Sequence, residues 1–244
     1  MADPQENKRL AVLIDADNAN AKIVDGLFEE IARLGEASVR RIYGDLSLSN
    51  LKPWVDVLHQ YAILPHQNFS ATRGKNASDI ALVIDAMDLL HAGRLDGICL
   101  VSSDSDFTRL AARIREQGLD VYGFGEQKTP ESFRMACKRF IYTENLVPEP
   151  PKPVTGTVAD ATADKKQPPS KAVPLINRAI NQLEDTDGWY HLGVVGKTLA
   201  NLKADFDPRS YGCRNLSDLA EKTGAYVIHR SKTGGIRIQI KKAK

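Results

Sequence analysis

The chain of 244 residues lacks the features that mark secreted, membrane-bound or sulfur-ligated proteins. Its three cysteines, Cys99, Cys137 and Cys213, are odd in number and far apart, which argues for reduced thiols and against a disulfide framework or a zinc cluster. It has no run of about 18 apolar residues that could cross a membrane. Residues 1–6 are polar and acidic and lack the apolar centre of a signal peptide. We therefore expect a cytoplasmic protein that does not enter a membrane.

Two catalytic patterns are also missing from the sequence. There is no G-x-x-x-x-G-K-[ST] motif, so the sequence gives no support for a nucleoside triphosphatase of the P-loop type. The histidines His59, His66 and His91 fall on helix or loop surfaces without an evident partner, so no Ser/His/Asp arrangement is indicated. Any catalytic chemistry must therefore use other residue types.

A proline-rich stretch divides the chain. Residues 148–153 include four prolines, and the Thr, Ala, Asp and Lys residues that follow have almost nothing to bury. We predict a front domain at 8–147, a flexible linker at 148–170 and a back domain at 171–243.

The front domain alternates predicted strands and helices. The strands are expected at 10–14, 38–43, 62–64, 97–101 and 120–124, with an edge strand at 140–142. This alternation predicts an α/β domain of three layers with a mostly parallel sheet. The back domain instead shows three helices and a β-hairpin, a pattern typical of a small α+β winged helix–turn–helix.

Acidic residues follow two of the most apolar strands. Asp15 and Asp17 come directly after strand 10–14, and Asp104 and Asp106 come shortly after strand 97–101. Ligands of such sheets bind beyond the carboxyl ends of the strands, so these carboxylates are expected to share one crevice. Crowded carboxylates repel one another unless protons or a cation relieve them, and Mg²⁺ or Mn²⁺ is the simplest relief. The sequence predicts a metal site at which an activated water attacks a phosphodiester.

Other polar residues near these islands have more than one interpretation. Asp79 begins an apolar helix and is the best third carboxylate. Asp85, about 120° around that helix, is expected either to support the site through another residue or to be structural. Asp106 either joins the acidic set or caps the next helix. Asn18 either serves the site or bonds only to its own turn. Arg73 and Lys75 either contact a phosphodiester backbone or are simply solvated.

Charge is distributed unevenly between the two halves. Residues 1–150 hold 17 Lys and Arg against 22 Asp and Glu, a net of −5, and residues 171–244 hold 13 against 7, a net of +6. An acidic catalytic domain beside a module that attracts polyanions fits this asymmetry, although small basic domains are common.

The three front motifs together resemble the NYN domain of the LabA-like group of PIN-related ribonucleases. They are Ile14-Asp15-Ala16-Asp17-Asn18, the stretch from Lys75 through Asp79 to Asp85, and residues 101–107. The resemblance implies a PIN-like Rossmannoid fold and Mg²⁺-dependent RNA cleavage. It further implies that Asp15, Asp79 and Asp104 hold the metal ion, with Asp106 and Asn18 beside them. This sequence departs from many relatives in having Ser103 where a glycine is common.

The back domain resembles an OST-HTH, or LOTUS, domain through Asp187-Gly188-Trp189, the following Leu-Gly-Val-Val-Gly segment and residues 206–212. The resemblance implies RNA binding or protein docking. Trp189, Phe206 and Tyr211 are expected in the core. Seven cations form the predicted phosphate-contacting set: Lys197, Lys203, Arg209, Arg214, Arg230, Lys232 and Arg237.

Alternatives stay open at this point. The Asp15-x-Asp17 pair also resembles the nucleophile loop of haloacid-dehalogenase-type phosphatases, although Ala19 stands where that family has Thr or Val. The front domain could bind RNA without cutting it. Homodimerisation and a protein partner for the back domain are left open as well.

Overall fold

The computed structural model describes residues 7–67, 76–147, 166–184, 188–231 and 235–241. The chain separates into two compact units, Met1–Pro151 and Lys152–Lys244. Three predicted RNA-contact residues, Arg73, Lys75 and Lys232, lie outside the described residues. Within the described residues, no helix combines the length and the apolar character that a membrane crossing requires.

The described residues of the first unit form six parallel strands in the order β3-β2-β1-β4-β5-β6. The strands are β1 Arg9–Asp15, β2 Glu36–Gly44, β3 Leu64–Gln67, β4 Gly97–Val101, β5 Asp120–Gly125 and β6 Arg139–Tyr142. The helices between them are α1 Val24–Leu34, α2 Lys52–Leu58, α3 Ala77–His91, α4 Thr108–Glu116 and α5 Glu131–Ala136. The predicted α/β fold with a parallel sheet is confirmed, and it fits a PIN-like architecture.

The sheet is buried on both faces because helices cover each of them, and alternate side chains of each strand point to the two sides. Leu10, Val12 and Ile14 of β1 pack with residues of α1 and α2 on one face. Ala11 and Leu13 pack with residues of α3, α4 and α5 on the other. This explains why β1 and β4 appear in the sequence as continuous apolar runs rather than as alternating ones.

The third strand begins later than predicted. The sequence places it at 62–64, whereas β3 spans Leu64–Gln67. The reason is that Ala62 has a φ of 49°, in the left-handed region, and belongs to the turn that ends α2. The chain can therefore extend only after this turn.

The end of the first unit packs back onto α1. Leu146 is buried, and a Cβ at Gly26 would lie only 2.2 Å from its carbonyl oxygen. A glycine is needed at position 26 because this close approach leaves no room for a side chain.

The second unit contains three α-helices in its described residues, α6 Val173–Ile180, α7 Leu192–Leu202 and α8 Leu216–Thr223. Its antiparallel sheet has the order β7-β9-β8, with β7 Tyr190–His191, β8 Tyr226–Ser231 and β9 Gly235–Ile240. The predicted winged helix–turn–helix is confirmed, and the short strand β7 adds to the hairpin. Tyr211 is in the core as expected and Phe206 packs against it, but Trp189 is half-buried outside the core cluster.

Candidate active site and nucleic-acid interface

Strands β1 and β4 lie side by side, and the order of the sheet reverses between them. Ile14 pairs with Val101, so the next residues along the two strands, Asp15 and Ser102, meet where the strands end. Crevices at such reversals are the usual ligand sites of open α/β sheets. The topology therefore brings the first and third acidic motifs together.

Asp15 is buried, with 1% of its surface exposed. Its Oδ2 accepts hydrogen bonds from the Ser102 hydroxyl at 2.7 Å and the Asn18 amide at 2.9 Å, and its Oδ1 accepts a longer bond, 3.2 Å, from the Asp17 N–H. Burial raises the pKa of Asp15, although the bonds from Ser102 and Asn18 oppose that rise. Asn18 is thus placed directly on the Asp15 carboxylate.

Asp104 caps the turn that precedes α4. Its side chain accepts a hydrogen bond of 2.9 Å from the Asp106 N–H, and its own N–H donates to Ser102 Oγ at 3.0 Å. The cap of this turn is therefore Asp104 and not Asp106, because Asp104 has the extended backbone of a capping residue. The Asp106 side chain is exposed within the turn.

Asp79 reaches the same crevice from the first turn of α3. Burial and then the negative charges of Asp15, Asp104, Asp17 and Asp106 raise the pKa of Asp79 to about 6. Four other carboxylates are thus close enough to act on it electrostatically. All three sequence motifs converge, which the spacing along the chain alone could not show.

Two polar residues at this edge of the sheet, Ser102 and Asp45, were not predicted from the sequence as part of the site. Ser102 is buried, and its one hydroxyl joins Asp15 to the backbone of Asp104. Asp45 directly follows β2. Burial is the main cause of the raised pKa of Asp17, and the negative charge of Asp45 raises that pKa further. Gln67 at the end of β3 donates to Asp45 Oδ1 at 2.7 Å. The strand-end rule that identified Asp15 would also have identified Asp45.

Asp85 is separate from this cluster, as expected of a structural residue. Its Oδ2 accepts from Arg41 Nη1 at 2.9 Å and from the Tyr43 hydroxyl at 2.8 Å, and His66 Nδ1 lies 3.3 Å away. These contacts tie α3 to the sheet at β2, six residues after Asp79.

The donor set suits a hard divalent cation, because every acidic side chain in the crevice offers oxygen. Among the described residues, however, no three His, Cys, Asp or Glu side chains are close enough together to hold an ion. Mg²⁺ commonly takes only one or two carboxylates and completes its shell with water and substrate phosphate. The residues therefore fit a magnesium-type ion in chemistry, without a preformed cage.

Several predicted RNA-contact cations of the second unit are paired within it. Arg209 bonds to the buried Asp207 through Nε and Nη2, the latter at 2.7 Å. Arg230 pairs with Glu221, and Lys203 Nζ lies 3.7 Å from Asp205. These cations have partners other than a phosphate.

The remaining three predicted cations differ in position. Arg214, with Arg230, lines a groove of about 790 Å³ between α7, α8 and the hairpin. Lys197 is exposed on α7, and Arg237 lies on β9.

Several solved structures resemble this chain. A protein of unknown function from Vibrio parahaemolyticus is 18% identical, with a TM-score of 0.46 over 57% of this chain and 94% of that one. An uncharacterized protein from Nitrosomonas europaea is 30% identical, with a TM-score of 0.29 over 40% and 91%. MurG of Acinetobacter baumannii is 14% identical, with a TM-score of 0.37 over 80% and 63%. At these TM-scores the likenesses carry no functional weight.

A comparison with curated proteins finds no match. Residues 163–238 match the model of the OST-HTH/LOTUS domain, an RNA-binding module. Residues 9–144, more than half of the chain, match the model of the NYN domain, a PIN-like nuclease domain. The protein therefore belongs to the NYN domain family.

Proposed function

We propose that this protein is a metal-dependent ribonuclease that hydrolyses RNA phosphodiester bonds at the β1–β4 crevice and retains RNA through its second unit. The observation that carries the proposal is the convergence on Asp79 of four further carboxylates. Carboxylates held so close together repel one another. A divalent cation bound together with an RNA phosphate would offset that repulsion. Within the family we place the chain in the LabA-like group, on its three ordered motifs.

Each residue of the crevice has a proposed role. Asp15, Asp79 and Asp104 would hold Mg²⁺ or Mn²⁺, and when bound the ion would neutralise charge on the phosphate and make a bound water more acidic. Ser102 and Asn18 hold Asp15 Oδ2, which fixes the orientation of that carboxylate. Asp106, exposed beside Asp104, would orient water or substrate.

We further propose a nuclease domain at 8–147, a linker at 148–170 and an RNA-binding domain at 171–243. Tethering would raise the local concentration of RNA at the crevice. We also propose a cytoplasmic location for the protein.

The test is digestion of single-stranded and structured RNA with Mg²⁺ or Mn²⁺, with and without EDTA. We expect Asp104→Asn to reduce cleavage by at least about 100-fold, as loss of a catalytic electrostatic group does. Asp88→Asn is the matched control, because Asp88 is exposed on α3. Cleavage that survives EDTA, or that Asp104→Asn leaves intact, would contradict the mechanism.

A second candidate is an RNA-binding regulator that does not cleave. The match of residues 163–238 to an RNA-binding module supports it, because that match implies RNA binding whether or not the first unit cleaves. Tight RNA binding without turnover at millimolar Mg²⁺ or Mn²⁺ would support this candidate, and turnover lost in Asp104→Asn would exclude it.

A further inference from the structure

The sheet of the second unit has one face in the core and one face outside it. Tyr190, Ile228 and Ile238 belong to or pack against the core cluster with the helices. Successive side chains alternate, so the residues between them lie on the outer face. His191 and His229 both pair with Arg237 of β9, which lies between their strands. The three side chains therefore form a row across the outer face.

Trp189 lies on this same face. Its ring centroid is 5.9 Å from that of His229, at an interplanar angle of 68°. Trp189 immediately precedes β7, whereas His229 is on β8, and β9 separates the two strands. The contact must therefore cross β9 on the outer side, which explains why Trp189 is half-buried rather than in the core.

No acidic side chain lies at the outward strand positions that the structure describes. These positions are His191, Val227, His229, Ser231, Arg237 and Gln239. The groove between α7 and α8 differs, because its described lining includes Asp218 and Glu221 beside the cations and contains no aromatic residue. Bases stack on aromatic rings, and phosphates bind cations that have no acidic partner. The sheet face therefore suits RNA and the groove does not.

We propose that the outer face of β7, β9 and β8 binds single-stranded RNA, with bases stacked on Trp189 and the imidazoles and with Arg237 at a phosphate or over a base. This inference deepens the proposed function, on which it rests for the identity of the ligand. The proposed RNA site is one surface rather than the dispersed set of cations predicted from the sequence. Of the residues on this surface, only Arg237 was expected from the sequence to contact RNA. Stacking of this type tolerates any base, so little sequence preference is expected.

Tryptophan fluorescence can locate the RNA. The chain has two tryptophans, and Trp54 is in the core with 1% exposure, so only Trp189 can stack on a base. The Asp104→Asn chain in EDTA would be titrated with a uridine oligonucleotide of about 12 nucleotides. We expect quenching on binding, loss of that quenching in Trp189→Leu, and about tenfold weaker binding in that variant by anisotropy of labelled RNA.

Arg237→Gln and Arg230→Gln form a matched pair, because the two arginines lie on the two strands of one hairpin but on opposite faces. We expect Arg237→Gln to weaken binding several-fold and Arg230→Gln to leave it nearly unchanged. The reverse result would assign RNA to the groove and overturn the proposal. Binding without quenching, or equal quenching by heparin, which has no bases, would overturn it too.

The ribonuclease proposal fails by a different result. It fails if the unmodified chain does not cleave RNA with Mg²⁺ or Mn²⁺, whereas the fluorescence experiment uses a cleavage-deficient variant in EDTA. Each proposal can therefore be wrong without affecting the measurement of the other.

Discussion

The first unit gathers Asp15, Asp79 and Asp104 at one end of its sheet, whereas the second unit pairs Arg209, Arg230 and Lys222 with its own acids. Among the described residues, no ion pair is formed by the three acids of the first unit. The excess positive charge of residues 171–244 is thus partly neutralised at short range, while the acidic charge of the crevice is not. The net charge of a segment therefore indicates a ligand of opposite charge only after the ion pairs formed within that segment have been subtracted.

The largest expected effect tests the bridge within the acidic cluster. Ser102→Ala removes the hydroxyl that joins Asp15 to Asp104, and we expect cleavage to fall about 100-fold because misplaced catalytic groups lose preorganisation. Ser102→Thr keeps the hydroxyl and should restore most activity. Single-turnover cleavage would measure both variants. Equal loss in the two would show that Ser102 only fills space.

The next effect concerns an ion pair of the second unit. Arg209→Gln leaves the buried Asp207 without its bidentate partner, and we expect about 2 kcal/mol less stability for that unit. Scanning calorimetry would measure the loss. The salt dependence of RNA binding should not change, and a reduced slope would return Arg209 to the phosphate-contacting set.

A smaller effect of opposite sign is expected in the crevice. The pKa of Asp79 is about 6 in the folded chain, above the ordinary 3.8, so its ionisation opposes folding as the pH rises between these values. The full shift corresponds to about 3 kcal/mol, which solvent screening reduces to about 1 kcal/mol.

Asp79→Asn should therefore stabilise the protein above pH 6 while it reduces cleavage. Thermal unfolding across pH checks this, with the gain disappearing as the pH falls below 3.8. A variant that is destabilised at high pH would show that the crevice carboxylates do not repel one another.

The smallest effect concerns Lys197, which is exposed on α7. Helix α7 packs against the inner side of the sheet, so Lys197→Gln should leave the slope of log affinity against log salt nearly unchanged. Titrations at several salt concentrations would measure the slope. A slope lowered by about 0.7, which corresponds to the loss of one phosphate contact, would return Lys197 to the phosphate-contacting set.

The sequence predicted what depends on local pattern and missed what depends on pairing. Apolar runs followed by Asp15 and Asp104 were enough to predict strand ends and an acidic crevice. The adjacency of β1 and β4 and the approach of Asp79 from α3 depend on topology, which no single segment encodes. Ser102 escaped notice because serine is common in turns, and its role appears only when β1 lies beside it.

Trp189 shows the same limit for the second unit. Aromatic residues of small domains are usually buried, so a core position was the natural expectation. The two-residue strand β7 was too short to be recognised, and without it the outer face that Trp189 covers could not be anticipated. The partners of Arg209 and Arg230 were likewise invisible, since Asp207 and Glu221 are themselves ordinary surface residue types.

The packing of Leu146 against Gly26 decides where the chain can be cut. A fragment that stops at Tyr142, after the last strand, would lack Leu146 and expose the part of α1 that Leu146 covers. Gly26 has no side chain that could fill the space left there. Cleavage by a protease before residue 146 should thus yield a poorly folded product. A fragment that runs through Val147 retains this packing and is therefore suited to isolating the acidic crevice.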